Sequence, residues 1–191
     1  MIIEILLALC LQFPQFDCDE GFTRMSEMPT TYDRTIQAAA GEYLPDHDWR
    51  LLKAQLWQES RLNPAAVSPA GAQGIAQFMP GTWEEWGPKA GYPEYITPFE
   101  AEPAIFTAAL YMSYQVESWH WPRPDIDRTC LALASYNAGL GNLIRAQQEE
   151  GDPSLYHEII LGLPAVTGDN SAETIEYVKK ILFFYTELVT G

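Results

Sequence analysis

The chain of 191 residues predicts a single, mainly α-helical domain with at most one small β element. Three observations carry that expectation. Apolar residues recur at helical spacing in several separate stretches, Gly, Pro and Asn punctuate the chain between them, and no region is rich in strand patterns. The length suffices for one buried core. A hydrophobic content of 47% sets the chain apart from disordered sequences, and its 13 Gly and 14 Pro call for many sharp turns.

Residues 1–30 read as a lead-in and residues 31–191 as the domain. Met1 to Leu11 is an apolar run too short to cross a bilayer as a helix. It resembles the hydrophobic part of a secretory signal, yet no Lys or Arg precedes it and Glu4 interrupts it. Leu7-Ala8-Leu9-Cys10 matches a lipoprotein cleavage box only loosely. A signal, an anchor and a structural helix or packing strand stay open for this run. Gln12 to Thr31 has turn formers and no period.

Thr31 to Tyr43 predicts a first helix with Ile36, Ala39 and Ala40 on one side. Asp46 and Asp48 offer N-caps for a second helix, which Asn63-Pro64 ends. Ala65 to Gln77 reads as a loop with room for short β pairing. Pro80 suits the first turn of a helix through Trp83 and Trp86, and Gly87 to Glu102 is a Pro-rich connector. Pro103 opens a longer helix with Ile105, Ala109, Met112 and Val116 in register, broken by Trp119-His120-Trp121-Pro122-Arg123-Pro124. Arg128 to Tyr136 predicts a helix stopped by Asn137-Ala138-Gly139, and Leu143 to Glu149 another. Leu163 to Asn170 reads as a loop. Ser171 is the expected cap of a final helix with Ile175, Val178, Leu182 and Tyr185 facing the core.

The formal charge of −15 argues against nucleic acid as a partner and against electrostatic docking on anionic membranes. Cys10, Cys18 and Cys130 have no metal-ligand spacing; an odd number leaves at least one thiol unpaired, and Cys10–Cys18 is the one pair close in sequence. His47, His120 and His157 are scattered, so no metal site is expected. Most of the six Trp and ten Tyr belong in a core, with some available as platforms for sugar rings.

Glu59 is the residue that points to chemistry. Leu52, Leu56 and Glu59 share one helical face, just ahead of the Gly-, Gln- and Pro-rich stretch from Ser68 to Pro80. A carboxyl on an inward stripe loses hydration, which raises its pKa and suits it to give and then take a proton near neutrality. The plain alternative is an exposed acid at a helix end.

Four segments are similar to lytic transglycosylases of the soluble lytic transglycosylase catalytic-domain type, in the lysozyme-like superfamily. Glu59-Ser60 stands where that family places its catalytic acid. Ser68-Pro69-Ala70-Gly71-Ala72-Gln73-Gly74-Ile75-Ala76-Gln77-Phe78-Met79-Pro80 resembles its Gly-Leu-Met-Gln-x-Met-Pro signature with the serine ahead of it. Ala134-Ser135-Tyr136-Asn137-Ala138-Gly139 is close to its Ala-Tyr-Asn-Ala-Gly, and Glu173-Thr174-Ile175-Glu176-Tyr177-Val178 matches Glu-Thr-x-x-Tyr-Val. Each match alone is weak; four in the right order, over roughly Tyr43 to Tyr185, are specific.

The resemblance implies an α+β lysozyme-like fold and cleavage of the β-1,4 bond between MurNAc and GlcNAc in peptidoglycan glycan strands, without cofactor. Glu59 would protonate the glycosidic oxygen with help from the acetamido group, then accept the proton of the C6 hydroxyl as it attacks C1. The substrate's hydroxyl replaces the second carboxylate of an ordinary glycosidase, and a 1,6-anhydro end results. The next acids after Glu59, Glu84 and Glu85, lie on a face that reads as solvated.

By the same resemblance, Ser68 would bond the substrate near its acetamido or peptide-bearing part, and Gln77 and Met79 would line the groove. Tyr136 and Asn137 would contact sugar or shape the floor, Tyr177 would hold the Glu59 carboxyl, and Glu173 would serve a subsite or anchor the last helix. Taken singly, Met79, Tyr136 and Tyr177 could be core, Ser60 structural, Ser68 a turn residue, Asn137 and Gly139 a helix stop, and Glu173 a first-turn acid.

The chain departs from the family at Ile75 and Ala76, in place of Leu-Met, at Ser135, and in the aromatic insert from Trp119 to Asp127. Ala76 is expected to reshape the sugar-binding wall. Two other functions stay open: a muramidase that lets water in, and a non-catalytic peptidoglycan-binding or virion module. A cell-envelope or periplasmic enzyme and a phage-encoded, virion-associated one both fit.

Overall fold

The predicted helices form, and in a computed structural model that describes residues 28–190 they account for nearly all regular structure. The N-terminal apolar run and the Cys10–Cys18 pair lie outside the described residues. In chain order the helices are α1 (Asp33–Tyr43), α2 (Trp49–Ser60), α3 (Pro80–Lys89), α4 (Ala101–Ser118) and α5 (Asp125–Ala138). There follow α6 (Leu140–Glu149), α7 (Tyr156–Ile159), a 3-10 turn (Ile160–Gly162), α8 (Leu163–Thr167) and α9 (Asn170–Thr190). Among the described residues β structure is limited to isolated bridges, Val67 with Gln73 and Gln73 with Phe78. The mainly α expectation, with one small β element, holds. No helix among the described residues is long and apolar enough to cross a membrane.

Contacts cluster into two units. In the unit of residues 28–113 and 187–190, α1 packs on α2. Ile36, Ala39, Leu52, Ala54 and Leu56 are buried, as their helical spacing requires. Asp48 caps α2: its Oδ1 accepts from the Arg50 backbone N–H at 3.0 Å, and its carboxylate also receives the Arg50 side chain. Asp46 takes no such role. The Lys53 ammonium is buried and meets Asp33 Oδ1 at 2.6 Å, so α1 and α2 share an ion pair as well as an apolar face. Phe78, Trp83, Trp86 and Tyr111 form an aromatic cluster, with ring centroids 4.9–6.4 Å apart, that joins the loop before α3 to α3 and α4.

In the unit of residues 114–186, α6 packs on α5, α7 and α8. Cys130 is fully buried with a free thiol, and burial raises its pKa, so it stays protonated and packs as a small apolar group. Ile175, Val178 and Leu182 of α9 are buried, while Tyr185 is only half-buried.

Several boundaries differ from expectation. The second helix ends at Ser60 rather than Asn63-Pro64, because Arg61 and Leu62 both turn left-handed. Helix α5 runs through Asn137 and Ala138, and Gly139, at φ 88°, stops it. The stretch expected as a loop from Leu163 begins with α8, with Pro164 in its first turn. Ser171 is buried inside α9, which starts one residue earlier.

The Arg50 fork holds the Asp48 carboxyl below the usual carboxylate range, with burial opposing it. A depressed folded-state pKa gives stability that is present above the unfolded pKa and is lost as pH falls through the folded one. Asp48→Ala should therefore cost about 1 kcal/mol at neutral pH. In denaturant titrations the gap to the parent should close as pH drops below about 4.

Candidate active site

Glu59 occupies the last turn of α2 and is half-buried, one turn beyond the fully buried Leu56. The helix stops abruptly behind it. Arg61 adopts φ 59° and ψ 35°, its backbone N–H donates to the Trp57 carbonyl, and its guanidinium lies 5.0 Å from the Trp57 ring centroid. Leu62 follows at φ 59° and is buried. Two successive non-glycine residues in the left-handed region carry strain of about 1–3 kcal/mol each, so the surroundings must hold them there.

The first and second motif segments meet through Ser60. Its Oγ donates to the Ile75 carbonyl at 2.8 Å and accepts from the Asn63 backbone N–H at 3.0 Å. The structural reading of Ser60 is correct. The signature loop then closes on itself. Ser68 Oγ accepts from the Ala72 N–H at 3.0 Å, Gln73 and Phe78 exchange backbone bonds at 2.9 Å, and Gly74 N–H donates to the Ala66 carbonyl. Gln77 is held at φ 50° with its Nε2 donating to the Gly74 carbonyl at 2.9 Å.

Gly74 is glycine for two reasons: its φ is +76°, and a Cβ there would come within 1.8 Å of the Pro98 carbonyl oxygen. The connector thus rests directly on the loop.

The predicted residues sort by exposure. Ser68 and Gln77 are half-buried and Met79 is 45% exposed, so Met79 is not core. Ser68 is a turn residue whose hydroxyl proton stays available to a ligand, since the turn uses its oxygen as acceptor. Ile75 and Ala76 are both fully buried. The expected effect of Ala76 on a sugar-binding wall is therefore overturned: its side chain faces the interior, where it changes packing. Glu84 and Glu85 are exposed, as their solvated face requires.

The third and fourth segments also meet, within the unit of residues 114–186. Thr174 Oγ1 donates to Asn137 Oδ1 at 2.7 Å, joining the end of α5 to the N-terminal part of α9. Thr174, a hydroxyl residue between Glu173 and the apolar Ile175 in the fourth motif, is buried and thus positions Asn137. Tyr136 is half-buried, Asn137 and Glu173 are exposed, and Tyr177 is buried. The Ser135 departure has a partner too: the buried Trp119 indole N–H donates to Ser135 Oγ at 2.9 Å. Among the described residues no cluster of His, Cys, Asp or Glu is arranged to hold a metal ion.

The chain resembles known proteins over most of its length. The family described as Transglycosylase SLT domain matches residues 35–159. Membrane-bound lytic murein transglycosylase F of Pectobacterium atrosepticum is 31% identical over 157 residues, 80% of this chain and 31% of that protein. The protein of the same name from Saccharophagus degradans is 32% identical over 182 residues, 85% of this chain and 34% of its own. The chain thus spans about a third of the length of the curated relatives it matches.

Among solved structures, the 70-kDa soluble lytic transglycosylase in complex with bulgecin A superposes with TM-score 0.66 at 25% identity, over 85% of this chain and 24% of that one. An inactive mutant of the lytic transglycosylase Slt from Pseudomonas aeruginosa does so with TM-score 0.68 at 21% identity, over 98% of this chain and 28% of that one.

Two substitutions test the loop. Ser60→Ala leaves the Ile75 carbonyl without its donor and should cost about 1–3 kcal/mol. Gly74→Ala must displace the Pro98 backbone as well as strain its own, and should cost more than Ser60→Ala in the same thermal unfolding assay.

Proposed function

The chain belongs to the transglycosylase SLT domain family, and we propose that it cleaves the β-1,4 bond between MurNAc and GlcNAc in peptidoglycan, leaving 1,6-anhydroMurNAc ends. One observation carries the reading: the half-buried Glu59 lies in the last turn of a helix whose final residue, Ser60, is bonded to the signature loop at Ile75. An acid that must act twice needs a fixed position more than it needs a second carboxylate.

The steps balance on one residue. Protonated Glu59 gives its proton to the glycosidic oxygen as the bond from C1 breaks, and GlcNAc departs with a free hydroxyl. The acetamido group assists departure. The C6 hydroxyl of MurNAc then bonds to C1 and returns its proton to Glu59, so the acid is regenerated and no water is consumed. No cofactor enters.

Ser68, Gln77 and Met79 are assigned to the groove wall beside Glu59. Support comes from the closed loop that holds them and from the exposure of Met79. For Tyr136, Asn137, Glu173 and Tyr177, sugar binding and support of the acid rest on the family motif. The bond from Thr174 gives Asn137 a fixed side chain. Residues 31–191 are the proposed catalytic domain, working on glycan strands in the cell envelope. The name of the curated relatives supports that setting.

Digestion of purified sacculi tests the reading. Wild-type protein should release anhydro-muropeptides detected by mass spectrometry, and Glu59→Gln should lower the rate by about 10²–10⁴-fold. Reducing ends in place of anhydro ends would show that water reaches C1. Undiminished activity in Glu59→Gln would remove the acid from Glu59.

A further inference from the structure

Among the described residues of the unit that carries Glu59, the exposed large apolar side chains are Val67, Met79, Tyr95, Phe99 and Val189. Val67 and Met79 belong to the signature loop and its exit. Tyr95, 80% exposed, and Phe99, 41% exposed, belong to the connector between α3 and α4. An isolated exposed aromatic needs no explanation, but two on one segment pressed against a proposed binding wall do.

The backbone around these rings is anchored. The Pro98 carbonyl oxygen lies where a Cβ of Gly74 would be, and the Phe99 nitrogen is 3.5 Å from the same point. The Trp83 indole N–H donates to the Ile96 carbonyl at 3.2 Å, the Ile96 N–H donates to the Pro93 carbonyl, and Glu100 Oε1 accepts from the Thr97 N–H at 2.9 Å. Each ring is thus flanked by backbone that is already fixed, so binding orders only the side chain.

The neighbouring charges select the ligand. Glu94 and Glu100 are exposed and adjoin Tyr95 and Phe99 in sequence; on α3 Glu84 is exposed too, while Glu85 is paired with Lys89 at 2.7 Å. Carboxylates disfavour an acid group on the ring they meet, which suits the neutral GlcNAc units of a strand, and they accept hydrogen bonds from hydroxyl and amide groups. Flat aromatic faces bordered by acceptors suit a neutral pyranose ring, with its C–H face on the aromatic and its hydroxyls on the carboxylates.

We propose that Tyr95 and Phe99 form a stacking subsite for a sugar ring of the glycan strand, continuous with the Gln77 and Met79 wall through the Gly74–Pro98 contact. The subsite deepens the function proposed above and rests on it for the identity of the strand. Its role is to hold long strands in register, so it governs affinity for extended substrate.

The test uses Tyr95→Ala/Phe99→Ala and the conservative Tyr95→Phe/Phe99→Tyr. Both are made in the whole chain, alone and with Glu59→Gln. Calorimetric titration of the Glu59→Gln forms with soluble, peptide-free glycan strands should show about five- to tenfold weaker binding for the alanine pair. The conservative pair should bind as its parent does, and on sacculi the alanine pair should raise KM. Matching melting curves confirm that the fold is kept. Equal binding by the alanine pair and its parent overturns the subsite, as does equal KM on sacculi. If the strands bind through the two rings but the wild-type protein releases no product, the lytic reading fails and the subsite stands. If cleavage is the same with and without the rings, the subsite fails and the lytic reading stands.

Discussion

The hydroxyl of Ser60 is the interaction on which the arrangement around Glu59 depends. It is donor to the Ile75 carbonyl and acceptor from the Asn63 N–H, so one oxygen ends a helix, shapes the turn after it and fastens a loop fifteen residues on. Its net worth as a hydrogen bond is about 1 kcal/mol. What it decides is larger than that figure. The two left-handed residues after it store strain. Arg61 offsets part of this by lying over Trp57, and Leu62 by burying its side chain. Glu59 precedes this over-determined turn by two residues and has little freedom to drift.

Much of this frame was legible in the sequence. The spacing of Leu52 and Leu56, the Asp48 cap, the glycine at 139 and the β pairing before Pro80 all reflect local chemistry that a sequence displays directly. The left-handed pair was not legible. Arg and Leu have no preference for that conformation, and only the contacts to Trp57 and the core hold them there. Helix α8 was missed for a different reason. Five residues are too few to show a period, and Pro164 reads equally well as a turn or as a first helical turn.

Two departures from the family pattern explain one another. An alanine at 135 would leave the Trp119 indole N–H buried without an acceptor, at a cost of about 1–3 kcal/mol, and the serine removes that cost. The aromatic insert and the altered motif therefore form one packing solution. Ala76, expected in the sugar-binding wall, is buried and changes packing instead. Side-chain alternation along a short loop could not be read from sequence, because Gly74 and the left-handed Gln77 break the regular period.

The wall and the surface beside it answer to different constraints. At Gly74 the backbone N–H donates to the Ala66 carbonyl, the carbonyl accepts from Gln77 Nε2, and an added Cβ would meet the Pro98 carbonyl. Tyr95 and Phe99 stand on the same frame but project into solvent, where the proposed subsite would let a substitution change binding without disturbing the fold. Chemistry that depends on one acid demands the first kind of site, since displacement of about 1 Å can cost a hundredfold in rate. Selection among long polymers needs only the second. The Gly74–Pro98 contact joins the two, transmitting the rigidity of the wall to a surface whose side chains stay free to vary.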